Sequence, residues 1–369
     1  MKIGAISTDW LLTDQIGDVT FARKPIIGGT GSYRQIIPGT ELAKHGHTFV
    51  ATCMENLSSS DSGLFIVTDF DGNKHFDCDI LWLQRLMGED MPERIKRARA
   101  CGQVVINDLD DWFWGLPTTN VAFHMTHPKS NPLFNRDFYL KAIQAGSGVT
   151  VSTKYLAGRL DKIGIPTVLC RNALDIDQWP VLDATDTGNV GWVGGIPWRG
   201  SDLAQLKGIL GPFLEKHGLT FVHGGHSPQG PSAMEQLGID PTKVECMTAP
   251  ILDFAEYQKL WEPIDVLVAP LEESSFNRSK SSLKLFEGSA SGLPCIGVSW
   301  HEEYQWWAKE SAVRLARNAR DWIKHLEALL DPVVRKEEGA INRAAAEKQS
   351  IGELWPVWEQ AFESIKAAS

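Results

Sequence analysis

Short runs of uninterrupted apolar residues alternate along this chain with longer segments in which apolar positions recur every three or four residues. The first pattern suits strands buried on both faces of a parallel sheet, and the second suits helices that cover such a sheet. Strands are predicted over Lys2–Ser7, Thr48–Cys53, Ile80–Gln84, Gln103–Asn107, Gly148–Ser152 and Thr167–Cys170, with helices between them such as Ser32–His45 and Met91–Ala100. Together they describe one doubly wound α/β sheet. The polar, turn-prone stretch from Leu182 to Gly188 reads as a linker. The alternation then restarts with Val190–Gly194, Thr220–His223, Val244–Met247, Val266–Pro270 and Cys295–Val298, which describe a second sheet. In Ile351–Ala367 the residues Leu354, Trp358, Phe362 and Ile365 share one helical face, the mark of a closing amphipathic helix. Ligands of two such sheets are expected at the carboxyl ends of the strands, in a cleft where the domains face each other.

The length of 369 residues fits two cores rather than one. With 43% hydrophobic and 22% charged residues, the composition is that of a globular enzyme. A formal charge of −10 disfavours sequence-blind binding to nucleic acid, whose phosphates dominate such contacts. The six cysteines show no C-x-x-C spacing and sit mostly in apolar runs, which suits reduced thiols and a cytoplasmic location without a zinc site. No apolar run approaches the roughly 18 residues of a membrane span, and the opening Met1-Lys2-Ile3-Gly4-Ala5-Ile6 reads as a strand, so no signal peptide is expected.

The segment Ser279-Lys280-Ser281-Ser282-Leu283-Lys284-Leu285-Phe286-Glu287, ending at Gly292-Leu293-Pro294, carries the most chemistry. At about 100° per residue, Lys280, Lys284, Glu287 and Ser291 fall on one helical stripe, and Leu283, Phe286, Ala290 and Leu293 on another. A helix start with free N–H groups beside two lysines suits a diphosphate, and Glu287 suits the hydroxyls of a ribose. A surface helix with an ordinary Lys–Glu pair is the plain alternative. In the first half, Val104–Asp111 ends a strand with Asp108, Asp110 and Asp111, followed by Trp112 and Trp114. Carboxylates beside indole faces suit sugar hydroxyls and ring C–H groups, although helix-start acids and core tryptophans have the same look. His124 and His127 lie in a Pro- and Asn-rich loop, where a histidine serves an acceptor or simply faces solvent.

Lys284-x-x-Glu287-x-x-Ala290-x-Gly292-x-Pro294 resembles the signature of retaining GT-B glycosyltransferases of family 4. Other segments match the family in order: Gly28-Gly29-Thr30-Gly31 with Leu42-Ala43-x-x-Gly46-His47, Asp110-Asp111 through Trp114 to Pro117, Arg171-Asn172-x-x-Asp175, and Gly194-Gly195 with Arg199-Gly200. Two departures stand out. Ser279 occupies the place of the family's donor-sugar glutamate, and Arg199 that of a lysine, with Gly195 where the family often has a second cation.

The resemblance implies an α/β GT-B fold: two Rossmann-like domains, 1–182 for the acceptor and 188–350 for the donor, closed by a helix over 351–369 that packs back toward the first. It implies a retaining, metal-independent transfer from a nucleotide-diphosphate sugar to an acceptor hydroxyl, with no further cofactor. Donor binding would fall to Gly28, Gly29, Gly31, Gly194, Gly195, Arg199, Lys280, Ser281, Lys284 and Glu287. Acceptor binding would fall to Asp108, Asp111, Trp112 and Trp114, and the reaction itself to Arg199, Lys284, Asp110 and His124. Asp9–Lys24 reads as an insertion over the cleft. The acceptor is a glycan or small molecule, or a modified DNA base as the one nucleic-acid option. A nucleotide-sugar epimerase or hydrolase, or a non-catalytic carbohydrate binder, remains open on the same fold.

Overall fold

The computed structural model describes residues 1–11, 15–16, 19–20, 26–27, 29–182, 187–196, 199, 201–225, 232–244, 246–249 and 257–369. The chain forms two compact units: Met1–Leu116 with Ala122–Leu174 and Ile351–Ser369, and Pro117–Val121 with Asp175–Ser350.

In the first unit the predicted strands form one parallel sheet: β1 (Lys2–Ser7), β2 (Thr48–Cys53), β3 (Ile80–Gln84), β4 (Val104–Leu109), β5 (Gly148–Val151) and β6 (Thr167–Leu169). Their order is β6-β5-β4-β3-β1-β2, so the direction of winding reverses between β1 and β3. All five residues of β3 are buried, as a central parallel strand requires. On one face Ile3, Ala5, Ile80, Trp82 and Ile106 meet Trp358, Phe362 and Ile365 of the closing helix Ile351–Ala368. The indole of Trp82 lies 5.1 Å from that of Trp358 and 5.0 Å from the Phe362 ring, which fixes the closing helix to the first unit. A Cβ on Gly148 would stand 2.7 Å from the Ile365 side chain, so this approach needs glycine there. On the other face Leu81, Leu83 and Val105 pack with Met91, Ile95 and Ala98 of the helix Met91–Ala100.

Two features were not anticipated. Leu57–Ser59, Phe65–Thr68 and Lys74–His75 form a small antiparallel sheet, whose short half-buried strands lack the continuous apolar runs of the parallel ones. The helix expected over Ser32–His45 starts at Gly29 and passes through a π-helical stretch, Ser32–Ile36, before its α-helical end Ile37–Lys44. The widened ladder ends just before Pro38, which has no N–H to give the carbonyl one turn back.

The second unit holds β7 (Val190–Val193), β8 (Phe221–Gly224), β9 (Cys246–Ala249), β10 (Val266–Ala269), β11 (Cys295–Val298) and β12 (Arg314–Ala316), all parallel, in the order β9-β8-β7-β10-β11-β12. This is the Rossmann order, reversing between β7 and β10. The boundary between units falls at Leu174, ahead of the polar stretch read as a linker. The reason is that Arg343, on the helix Pro332–Glu347, donates to the carbonyls of Trp179 at 3.0 Å and Ile176 at 3.3 Å, tying that segment to the second unit.

Candidate functional site

In the second unit, β7 and β10 end side by side at the point where the winding reverses. After β7 the backbone turns at Gly194, whose φ of 157° is open to glycine, and a Cβ there would meet the Trp192 ring at 2.9 Å. Gly194 N–H donates to Gly224 O at 2.7 Å, so the turn rests on the end of β8. Asp202 then comes to lie under the loop that leaves β10. Its Oδ1 accepts from Glu272 N at 2.9 Å and from Asn277 Nδ2 at 2.8 Å. Burial raises its pKa, opposed by the nearby positive charge of Arg199.

The helix Leu283–Ala290 follows this loop. Lys284 is buried on it, donates to the Val193 carbonyl and sits 5.2 Å over the Trp192 ring. Loss of hydration and the charge of Arg199 push its pKa down to about 7, while Glu287 and Asp202 oppose the shift. Glu287, one turn on and 3% exposed, accepts a hydrogen bond from Tyr257 Oη at 3.0 Å. Arg199, Lys284 and Glu287 therefore share one electrostatic neighbourhood at the switch point. A buried lysine and glutamate with a half-buried arginine at strand ends suit a phosphorylated ligand with hydroxyls.

The helical stripe proposed for Lys280 is corrected by the backbone. A 3-10 turn over Asn277–Ser279 precedes Lys280, which is extended at φ −67° and ψ 147°, so it lies before the helix. Its ammonium sits 4.2 Å over the Phe276 ring and still influences Lys284 and Asp202 through its charge. Ser281 Oγ accepts from Leu283 N at 3.4 Å at the start of the helix. Ser279 is fully buried, and its hydroxyl donates to Phe276 O at 2.6 Å. Gly195 follows the Gly194 turn, partly exposed.

In the first unit the three carboxylates at the end of β4 separate. Asp108 is fully buried and takes Arg34 in a two-pronged pair, at 3.0 Å from Nε and 2.7 Å from the terminal nitrogen, with Thr150 Oγ1 donating at 2.6 Å. The acceptor role expected of Asp108 is thus corrected: its oxygens are spent on the interior. Asp110 faces Arg85, which donates to its Oδ1 at 3.1 Å and reaches Asp9 at 3.3 Å, Thr30 Oγ1 at 3.0 Å and Asp111 at 3.6 Å. Asp9 in turn accepts from Gly31 N at 2.8 Å, which anchors the glycine-rich loop. Burial raises the Asp110 pKa to about 6 against the pull of Arg85. This cluster stands at the carboxyl ends of β1, β3 and β4, again where the winding reverses. Asp108 and Asp110 therefore answer to different guanidinium groups.

Trp112 is buried beneath the Arg159 guanidinium, 4.5 Å away, and lies 4.6 Å from Trp114, which is partly exposed. His124 is exposed on the short helix Val121–Thr126, with the Phe123 ring edge against it, and the structure does not bring it to Asp110. Gly29 is exposed at the helix start, while Gly28 and most of the 9–24 insertion lie outside the described residues. Sequence reasoning missed Arg85, Asp202, His223 and Tyr257. For Arg85 a signal existed in its place directly after the apolar run of β3; its left-handed φ of 58°, uncommon outside glycine, emerges only in the structure.

Two doubly wound parallel sheets, one in the Rossmann order, give the chain the GT-B fold of glycosyltransferases. It is similar over its full length to sucrose-phosphate synthase from Thermosynechococcus elongatus, with TM-score 0.62, 12% identity and 100% of both chains covered. It is also similar to Anabaena HepE in complex with UDP-glucose, with TM-score 0.59, 10% identity and 100% of both chains covered. A glycosyltransferase from Rickettsia africae matches at TM-score 0.59 and 11% identity, over 100% of this chain and 99% of the other. No protein-family model matches the sequence, and no curated protein matches it.

Proposed function

We propose that the protein is a glycosyltransferase that moves a sugar from a nucleotide-diphosphate sugar to an acceptor hydroxyl with retention of configuration. The observation that carries this reading is the convergence of Lys284, Arg199 and Glu287 at the switch point of the second sheet. Anabaena HepE, of similar fold, is seen in complex with UDP and with UDP-glucose, which supports the same donor class here. Lys284 and Arg199, with Lys280 and the backbone of Gly194 and Gly195 nearby, neutralise the diphosphate. Glu287 takes the ribose hydroxyls.

The bond from the anomeric carbon to the phosphate oxygen breaks, and the electron pair leaves with the diphosphate, where Lys284 and Arg199 stabilise the growing charge without a metal ion. The acceptor hydroxyl attacks from the same face and passes its proton to the departing phosphate. In the first unit Asp110, with Asp111 and the partly exposed Trp114 nearby, is the group to hold a carbohydrate or small-molecule acceptor. No described helix is long and apolar enough to cross a membrane, and Cys53, Cys78, Cys101, Cys170 and Cys295 are free thiols, which supports a cytoplasmic place of work.

Calorimetry with UDP, GDP and other nucleoside diphosphates on Glu287→Ala and Lys284→Ala tests the site. A loss of about tenfold or more in each is expected; unchanged affinity in both removes the assignment. One observation favours a rival. Ser279 turns its hydroxyl inward, so the donor-sugar contact implied by the resemblance is missing there, as in a hydrolase or a silent binder. Product analysis of labelled donor with and without acceptor separates these outcomes.

A further inference from the structure

Lys284 accounts for one of two carbonyls pinned at the end of β7, and the proposed function leaves the other unexplained. His223, at the third position of β8, is buried, and its Nε2 stands 3.0 Å from Gly194 O. A carbonyl only accepts, so Nε2 carries the hydrogen. Burial lowers the His223 pKa and the charge of Lys284 adds to this, while the hydrogen bond to Gly194 opposes it. The ring lies against Trp192 with centroids 5.5 Å apart and planes 30° apart, so its direction is set by packing.

The turn has little room to answer in any other way. A Cβ on Gly225 would stand 2.2 Å from Gly194 O, and Gly194 N is already spent on Gly224 O at 2.7 Å. Among the described residues no peptide bond is cis, so the Gly194–Gly195 peptide is planar and trans and its N–H points opposite to its carbonyl. Pulling Gly194 O toward His223 therefore turns Gly195 N–H away from it. Among the described residues no acceptor is paired with that N–H.

We propose that His223 is a positioning residue that holds the Gly194 carbonyl so that Gly195 N–H is presented to the diphosphate of the donor. This rests on the donor site assigned above, and it deepens that assignment by giving the glycine turn a rigid aim. A preset N–H contributes one charge-assisted hydrogen bond without reorganisation when the ligand arrives.

The test compares a nucleoside diphosphate with the corresponding nucleoside monophosphate by calorimetry, in the wild type, His223→Phe and His223→Gln. His223→Phe keeps an aromatic ring against Trp192 and loses the donor. It is expected to weaken diphosphate binding about fivefold to tenfold with monophosphate affinity changed less than about twofold. His223→Gln, whose amide supplies an N–H at similar reach, is expected to recover most of the loss. In labelled wild-type protein the Gly195 amide resonance shifts on adding the diphosphate, and in His223→Phe it does not. Equal loss of both ligands, or no loss of either, in folded His223→Phe overturns the positioning role while the donor site stands. If His223→Phe does not fold, weak diphosphate binding by folded His223→Gln with an unmoved Gly195 amide overturns it. A folded wild type that binds no nucleoside diphosphate overturns the donor site and this inference with it.

Discussion

Arg34 and Asp108 face each other as a fully buried, two-pronged ion pair, at 3.0 and 2.7 Å, between a π-helical stretch and the central strand β4. Arg34 also donates to Asn172 Oδ1 at 3.0 Å and lies 4.7 Å over the Trp358 ring. It thus joins the amino-terminal helix, the sheet and the closing helix of the first unit. Breaking one partner leaves a bare charge inside. Asp108→Ala is expected to cost about 3–5 kcal/mol, read as a shift in the urea midpoint at constant slope. A cost below about 1 kcal/mol would deny the pair its structural role.

Lys284 gives a pH signature. Its pKa is held at about 7 in the folded chain against an ordinary 10.5, so between those values the unfolded chain binds the extra proton. By linkage its contribution makes stability rise with pH across that window, and Lys284→Met should flatten the slope. Diphosphate binding favours the charged ammonium. Near pH 8 it should therefore take up a fraction of a proton, seen as a buffer-dependent heat of binding that Lys284→Arg abolishes.

Arg85 holds the Asp110 pKa down against burial, leaving it at about 6. Removing the guanidinium in Arg85→Gln should push it higher, measured by carbon NMR titration of the Asp110 carboxyl. A value that stays at about 6 would mean that Arg85 is not its electrostatic partner. Because the folded pKa lies above the ordinary 3.8, the contribution of Asp110 to stability is full at low pH and fades as pH rises through about 6.

Two glycines of positive φ make a controlled comparison. Gly46, at 90°, has open space where a Cβ would stand, whereas at Gly225, at 149°, a Cβ would collide with Gly194 O at 2.2 Å. Gly46→Ala should cost only the backbone strain of about 1–2 kcal/mol. Gly225→Ala should cost clearly more in thermal unfolding and also weaken nucleotide binding, because it displaces the turn that carries Gly194.

Much of the fold was legible in the residues themselves. The strands Lys2–Ser7, Thr48–Cys53, Ile80–Gln84 and Cys295–Val298 and the helix Met91–Ala100 lie where the apolar pattern places them. Burial on both faces of a sheet imposes an unbroken apolar run, and that requirement is local. Lys284-x-x-Glu287 was legible too, because helical spacing alone puts the two side chains one turn apart. Lys280 was misplaced, since nothing in its spacing reveals the 3-10 turn at Asn277–Ser279 that delays the helix.

The amino-acid order alone therefore determined the alternation of strands and helices, two α/β units and the Lys–Glu spacing, all of which follow from periodicities within a few residues. Tertiary structure alone decided which carboxylate is spent on the interior and which stays at a strand end. Asp108 meets Arg34 and Asp110 meets Arg85 because strand order brings distant segments together in a desolvated place. His223 likewise reaches Gly194 only because β8 pairs beside β7. Charge pairing and burial are properties of neighbours in space, and those neighbours exist only once the sheet has closed its register.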